Sequence, residues 1–328
     1  MTVGVGIVGC GLIGRKRLAG LPSDARLVGC FDVDASRSAA LAAEAGDGSL
    51  AASSLEDLLA REGIDVVVVA VVHDQLAPLT LAALRAGCHV LVEKPGAIDR
   101  QALAEVRDVA AGLGLEVRVG YNHRFHPSFA KLRELRRDRD DGRFLFVRAR
   151  YGHGGRLGYE TEWRADRSVS GGGELVDQGS HLIDLTRSLV GEVSLRHAEL
   201  PTLYWPMAVE DNAFLSLEVA AGGVAWLHAS WTEWKNLFSF ELTFERTKYE
   251  VAGLGGSYGP EQLTVYSMGP ELGPPETTSW GWPPGDDSWS CEMSDVIGVI
   301  RGVPGSGIGA SVDDALAVLS VVEEAYRR

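Results

Sequence analysis

The feature that most constrains this chain is the alternation in its first 120 residues between short β-branched runs and stretches patterned for helix. Strand-like runs at residues 3–8, 26–32, 66–72, 89–92 and 116–120 are separated by helix-like stretches reaching to about residue 21 and at 35–45, 55–61, 78–86 and 100–113. Residues 66–72 are seven apolar side chains in a row, which suits a parallel strand covered on both faces. Strand–helix alternation with short links builds a doubly wound parallel sheet.

After Tyr121 the pattern changes. Strand-like runs at 143–151, 194–199, 213–220, 224–231 and 238–251 follow one another directly, as antiparallel pairing requires. Phe238, Phe240, Leu242 and Phe244 alternate with polar residues. A helix at about 173–190 interrupts this half, another over 312–327 ends the chain, and residues 268–287, rich in Pro, Gly and Trp, read as a loop. The chain is thus expected to be α/β with two domains, residues 1–122 and residues 123–328, the second being α+β; the C-terminal helix can pack back on the first.

Gly9-Cys10-Gly11-Leu12-Ile13-Gly14 is G-x-G-x-x-G between a strand and a helix. The first glycine permits a tight turn, the second lets a pyrophosphate approach the backbone, and the third packs helix on strand. The helix N-terminus then offers N–H groups and a positive dipole end to phosphate. Asp32 closes the second strand about 20 residues on, where a carboxylate accepts from ribose hydroxyls and repels a 2′-phosphate. Together these mark a Rossmann domain for NAD rather than NADP. Arg37 either stacks on adenine, reaches a 2′-phosphate, or is simply an exposed helix residue.

Glu93-Lys94-Pro95 follows the strand at 89–92, and ligands of open α/β sheets bind beyond the carboxyl ends of the strands. The chain has five lysines against 26 arginines, so Lys94 is either a selected functional group or an ordinary surface lysine in a turn. Asp177 and His181 stand four apart with Asp184 three further on, sharing one face of a helix. Histidine can move a proton near neutral pH and a nearby carboxylate holds its tautomer; a capping Asp beside a buried, satisfied His reads the same way. Gly171, Gly172 and Gly173 let a backbone approach a ligand, or merely flex.

Other chemistries fit less well. A net charge of −14 disfavours nucleic acid and anionic membrane surfaces, and no run is long enough to span a bilayer. The four cysteines are scattered, the eight histidines form no H-x-x-x-H, and His123 and His126 lack an acidic or Cys partner nearby in sequence, so no metal is expected. There is no G-x-S-x-G elbow and no P-loop lysine. The expected setting is soluble and cytoplasmic.

The glycine loop, AGCHVLVEKP at 86–95, GYNHRF at 120–125, GGGELVDQGSHLIDL at 171–185, the Asp211 region and SVDDALAVLSVVEEAY at 311–326 together resemble the Gfo/Idh/MocA oxidoreductases, the group of glucose–fructose oxidoreductase and the inositol dehydrogenases. The resemblance implies hydride transfer between NAD(H) and a secondary alcohol or ketone of a sugar, cyclitol or aminosugar. Lys94, Asp177 and His181 would be the catalytic group. Val71, His73, Glu93 and Lys94 would join Gly9, Gly11, Leu12, Ile13, Gly14, Asp32 and Arg37 around the cofactor. Arg124 and Trp163 would join Lys94, Asp177 and His181 around the substrate, with His153, Tyr159 and Arg164 in neighbouring segments. Two departures stand out: Val71-Val72-His73 replaces Thr-Pro-Asn, and Arg17 replaces a common histidine. The second domain's sheet would be open on one face and pair with another subunit, giving a homodimer or homotetramer. Two rival readings are an NAD-using glycosidase or lyase that oxidises its substrate transiently, and a non-catalytic NAD-sensing regulator.

Overall fold

Strands and helices alternate from Val3 in the computed structural model, which describes residues 2–46 and 48–328. In chain order the elements are β1 (Val3–Val8), α1 (Leu12–Ala19), β2 (Ala25–Phe31), α2 (Ala35–Ala45), β3 (Leu50–Ala51), α3 (Leu55–Leu59), β4 (Val66–Val69), α4 (His73–Arg85), β5 (His89–Glu93), α5 (Arg100–Leu113) and β6 (Val117–Gly120). Then follow α6 (Pro127–Arg137), β7 (Phe144–Gly152), α7 (Arg167–Ser170), α8 (Ser180–Val190), β8 (Val193–Glu199), β9 (Asn212–Val219), β10 (Val224–Ser230), β11 (Leu237–Phe244), β12 (Thr247–Ala252), β13 (Gln262–Ser267), β14 (Glu276–Gly281), α9 (Ser288–Ile300), β15 (Ala310–Ser311) and α10 (Val312–Arg327). Two units result, one of residues 1–122 with 287–317 and the other of residues 123–286 with 318–328.

The first unit holds a seven-stranded sheet in the order β15-β6-β5-β4-β1-β2-β3, parallel throughout except for the short β15 against β6. Leaving β15 aside, this is the doubly wound order, with β1 and β4 adjacent at the centre where the winding reverses. All four residues of β4 are fully buried, as their unbroken apolar run requires. The strand ends at Val69, short of Val72, because Val72 caps α4 and the helix begins at His73. The helix passes through Pro78 instead of starting there; Pro78 forfeits one backbone hydrogen bond. The core joins Val5, Ile7, Leu27, Val66 and Val68 to Met293, Val296 and Ile297 of α9.

The second unit is built on an eight-stranded sheet, β14-β13-β12-β11-β7-β10-β9-β8. Every neighbouring pair is antiparallel except β7 with β10, which run parallel. Residues 238–251, read from sequence as one strand, are a hairpin turning at Glu245-Arg246, with Phe240 facing Val251. The stretch expected to be loop contains β14, which adds an edge strand to β13. One face is closed by helices, with α8 packed on β7 and β10 and α6 on β12 and β13. Trp231 and Phe238 lie in the core, whereas Trp226 is 56% exposed on the other face with Phe146 and Phe214. Among the described residues no helix is long and apolar enough to cross a membrane.

Candidate functional site

The glycine loop of the first unit shows three different uses of a missing side chain. Gly9 has φ +92°, and a Cβ there would lie 2.2 Å from the Ala70 carbonyl oxygen. At Gly14 a Cβ would lie 2.0 Å from the Gly9 carbonyl oxygen, so this glycine seats α1 against β1. At Gly11 a Cβ would meet nothing within 4 Å. Gly11 is also the N-cap of α1, and no side chain caps the helix. Orphan N–H groups beside an open approach are what a phosphate needs. The residues present therefore fit a dinucleotide pyrophosphate.

Asp32, at the end of β2, accepts from Cys10 N (2.7 Å) and Asp34 N (2.9 Å), which ties the glycine loop to the second strand. Arg37 is exposed, 3.4 Å from Asp34. Leu12 is exposed, Ile13 half-buried, and Val71 packs against the Gly9 turn. His73 is buried in the first turn of α4. Lys94 is half-buried just beyond β5.

Glu93, expected at the cofactor, is engaged within the unit. Its carboxylate accepts from Arg17 Nε at 2.7 Å, while Arg17 Nη1 donates to Glu292 Oε2 at 2.6 Å. All three side chains are buried, and the Trp289 ring lies 4.6 Å from the guanidinium. Burial alone would lower the Arg17 pKa, but the two carboxylates outweigh it and the guanidinium stays charged. The residue standing in place of a histidine is thus a clamp joining α1, β5 and α9. Its second partner is 275 residues away in sequence, so nothing local announced it.

In the second unit, a π-helical turn over Leu175–Gly179 leads directly into α8. Such a turn carries one extra residue and re-phases the side chains on either side of it, so ideal α-helical spacing does not set how Asp177 and His181 face each other. Asp177 Oδ2 lies 3.3 Å from Arg164 Nε. Asp184 binds Arg124 through two hydrogen bonds, Nε at 2.8 Å and Nη2 at 2.6 Å, both partners buried. Arg124, expected at the substrate, is thus held by Asp184. Trp163 is half-buried with the Arg164 guanidinium 4.6 Å over its ring. His153 accepts from Gly155 N, and burial pulls it below the usual histidine range. Tyr159 packs with Trp205 and Trp231, and burial pushes its hydroxyl up.

His181 is 7% exposed and lies face to face with His123, ring centroids 3.8 Å apart and planes 19° from parallel. Sequence reading left His123 without a partner. It has one in Tyr151, whose hydroxyl lies 3.0 Å from Nε2. The Tyr151 and Tyr258 rings pack edge to face with centroids 4.9 Å apart, and burial pushes both hydroxyls up, Tyr258 to about 12. His126 lies beside His123 with Nδ1 3.1 Å from Glu261 Oε2 and Nε2 3.8 Å from Asp286. These carboxylates are 135 and 160 residues further along the chain, which is why the histidine pair looked isolated.

The three glycines before this turn are filled by the chain itself. A Cβ at Gly172 would lie 1.9 Å from the Tyr326 hydroxyl, and one at Gly173 2.1 Å from the Glu210 carbonyl oxygen. The Glu210 carboxylate accepts from Gly173 N, Leu175 N and the Tyr326 hydroxyl. Asp211 gathers the N–H groups of Leu203, Tyr204 and Trp205, an anchor for that loop. Within residues 268–287 Trp280 belongs to β14, and Trp289, just beyond them, belongs to α9.

Residues 3–121 match the family model described as the NAD-binding Rossmann fold of the GFO/IDH/MocA oxidoreductase family, and residues 129–258 match that family's C-terminal domain. D-glucoside 3-dehydrogenase of Escherichia coli is 30% identical over 69% of this chain and 69% of its own length. The chain belongs to the Gfo/Idh/MocA oxidoreductase family. Inositol 2-dehydrogenase 2 of Saccharopolyspora erythraea is 32% identical over 68% of this chain, an alignment that spans 65% of that relative's length. Among solved structures, a levoglucosan dehydrogenase in complex with NADH superposes with a TM-score of 0.85 at 21% identity, covering 100% of this chain and 98% of its own. That likeness shows that this Gfo/Idh/MocA member shares the neighbour's two-part fold.

Proposed function

We propose that this chain is an NAD(H)-dependent oxidoreductase that interconverts a secondary alcohol and a ketone on a sugar, cyclitol or aminosugar. The observation that carries the reading is the cradle of the first unit: Gly11 open to approach, α1 uncapped, and Asp32 at the end of β2. The Asp32 carboxylate favours NAD over NADP, since it repels a 2′-phosphate. When bound, the nicotinamide ring supplies the carbon that takes or gives hydride.

The chain's own residues handle the proton and the developing charge. In the direction of oxidation His181 accepts the hydroxyl proton, and Lys94 donates a hydrogen bond to the reacting oxygen, stabilising alkoxide character. Asp177, paired with Arg164 Nε at 3.3 Å, is the carboxylate that orients His181 in this reading. Each such group contributes about 10²–10⁴ in rate. The relatives named inositol, glucoside and levoglucosan dehydrogenase support this substrate class. The four free thiols agree with a reducing, cytoplasmic setting.

The exposed Phe146, Phe214 and Trp226 on the open sheet face support a homodimer or homotetramer. A monomeric mass by light scattering would remove that part of the proposal. The activity is tested by following reduced nicotinamide while NAD, then NADP, is offered with cyclitols, sugars and aminosugars, beside Lys94→Ala and His181→Ala. Appearance of NADH that both variants abolish supports the reading. Sugar consumed without NADH favours transient oxidation, and NAD binding with no turnover favours a regulator.

A further inference from the structure

We propose that Glu210 is a positioning residue for Asp177 and His181: from 35 residues away in sequence it caps the helical turn that carries them, and the Tyr326 hydroxyl braces it there. The turn over Leu175–Gly179 opens a helical rod that runs on as α8, and its own N-cap, Glu174, makes no side-chain capping bond. The first N–H groups of such a rod need acceptors from elsewhere. Glu210 supplies them to three consecutive residues, all within the second unit. Its Oε1 accepts from Gly173 N at 3.1 Å and from Leu175 N at 3.0 Å, and its backbone carbonyl accepts from Glu174 N at 3.0 Å. The Tyr326 hydroxyl donates to the same Oε1 at 2.6 Å.

Asp177 hangs on the residue that Glu210 pins. Asp177 N and Val176 N both donate to the Gly173 carbonyl, at 3.0 and 3.1 Å. Gly173 itself has no room to drift, since the Glu210 carbonyl oxygen lies 2.1 Å from where its Cβ would stand. Where the rod begins decides its phase. A π turn holds one residue more than an α turn, so a regular helix in its place would carry Asp177 round by about 100° relative to His181. The observed phase is the one that brings Asp177 Oδ2 to 3.3 Å from Arg164 Nε. His181, the second residue of α8, follows without a break.

Glu210 stands on a firm base. The next residue, Asp211, ties down Leu203, Tyr204 and Trp205 through its carboxylate, and its carbonyl accepts from Trp231 N at 2.8 Å, continuing the β9–β10 ladder. The donors from Gly173, Leu175 and Tyr326 converge on one oxygen of Glu210, so a proton taken up by the carboxyl goes to Oε2 and the capping bonds survive. An amide oxygen can accept the same three bonds, which makes glutamine the conservative substitute.

The inference rests on the proposed roles of Asp177 and His181, and is tested on the full chain through the His181 ring as well as through turnover. Glu210→Gln keeps the accepting oxygen, Glu210→Ala removes it, and Tyr326→Phe removes only the brace. Circular dichroism establishes that each variant is folded. In nitrogen NMR without substrate, His181 should keep its wild-type ring shifts in Glu210→Gln and change them in Glu210→Ala. With a polyol that reduces NAD, Glu210→Ala should lose about 100-fold in kcat and Tyr326→Phe about fivefold, with KM within about threefold, while Glu210→Gln stays within about twofold of wild type. NAD affinity should not change, because the glycine cradle lies in the first unit. His181 shifts unmoved by Glu210→Ala, or a Glu210→Gln as damaged as Glu210→Ala, overturn the proposal. Should Glu210→Ala fail to fold, wild-type shifts and kcat in Tyr326→Phe overturn it instead. Absence of turnover with every polyol would count against the dehydrogenase reading alone, and the ring shifts would still decide whether Glu210 positions His181.

Discussion

The chain has two glycine clusters that look alike in sequence and differ in what fills them. At Gly9–Gly14 the outer glycines are crowded by the chain's own backbone while the middle one faces open space. At Gly171–Gly173 the space is taken by the molecule: Tyr326 from α10 sits over Gly172 and the Glu210 backbone over Gly173. The first cluster keeps room for something outside the chain, and the second brings distant parts of one unit together. A glycine-rich motif thus reports close approach and leaves open who approaches.

The difference can be broken by adding single methyl groups. Gly173→Ala and Gly14→Ala each drive a Cβ to within about 2.1 Å of a carbonyl oxygen that cannot swing away. Each should cost roughly 3 kcal/mol, the upper end of overpacking, seen as a lowered urea midpoint. A wild-type midpoint in Gly173→Ala would show that the second cluster is as open as Gly11.

Tyr326→Phe should cost about 1–2 kcal/mol in the same measurement, since a buried hydroxyl hydrogen bond to Glu210 (2.6 Å) is lost. Glu210 adds a pH dependence. Burial pushes its carboxyl above the usual glutamate range, more than its Tyr326 and backbone donors pull it down. A raised pKa in the folded state means that the protonated group is favoured by folding. That contribution is fully present below the ordinary glutamate pKa and is lost as pH rises through the raised value. Wild type should therefore lose stability relative to Glu210→Gln across that window; a constant difference would refute it.

The smallest effect on the fold, and the most telling, is expected at Gly11. Its φ of −74° suits alanine and the space is empty, so Gly11→Ala should change stability by no more than about 0.5 kcal/mol. NAD affinity by titration calorimetry should nevertheless fall about tenfold, or roughly 1.4 kcal/mol. Unchanged affinity would mean that the pyrophosphate does not lie where the loop is open.

Much of the fold was legible because periodicity is a local signal. Unbroken apolar runs identified β4 and β5, and alternation identified β11. Neither α6 nor α9 was bounded from the sequence, although signals existed. Pro127 at the first turn of α6, with Phe129 and Leu132 three apart, is a helix start. In α9, Met293, Val296 and Ile297 form a buried stripe that the neighbouring tryptophans obscured. The π turn had no signature, because an extra residue in a helical turn leaves composition and period nearly unchanged.

By itself the sequence determined the parallel sheet of the first unit, the strand-rich second unit, the cofactor loop and the family, since each rests on neighbours within a few positions or on an ordered series of motifs. Only the tertiary structure decided the partners: Arg17 for Glu93 and Glu292, Asp184 for Arg124, Tyr326 for Gly172, and His123 for His181. Those pairs are 58 to 275 residues apart in sequence. A buried charge or ring must find a counterpart to offset its lost solvation, and any of many residues can serve until the chain has folded.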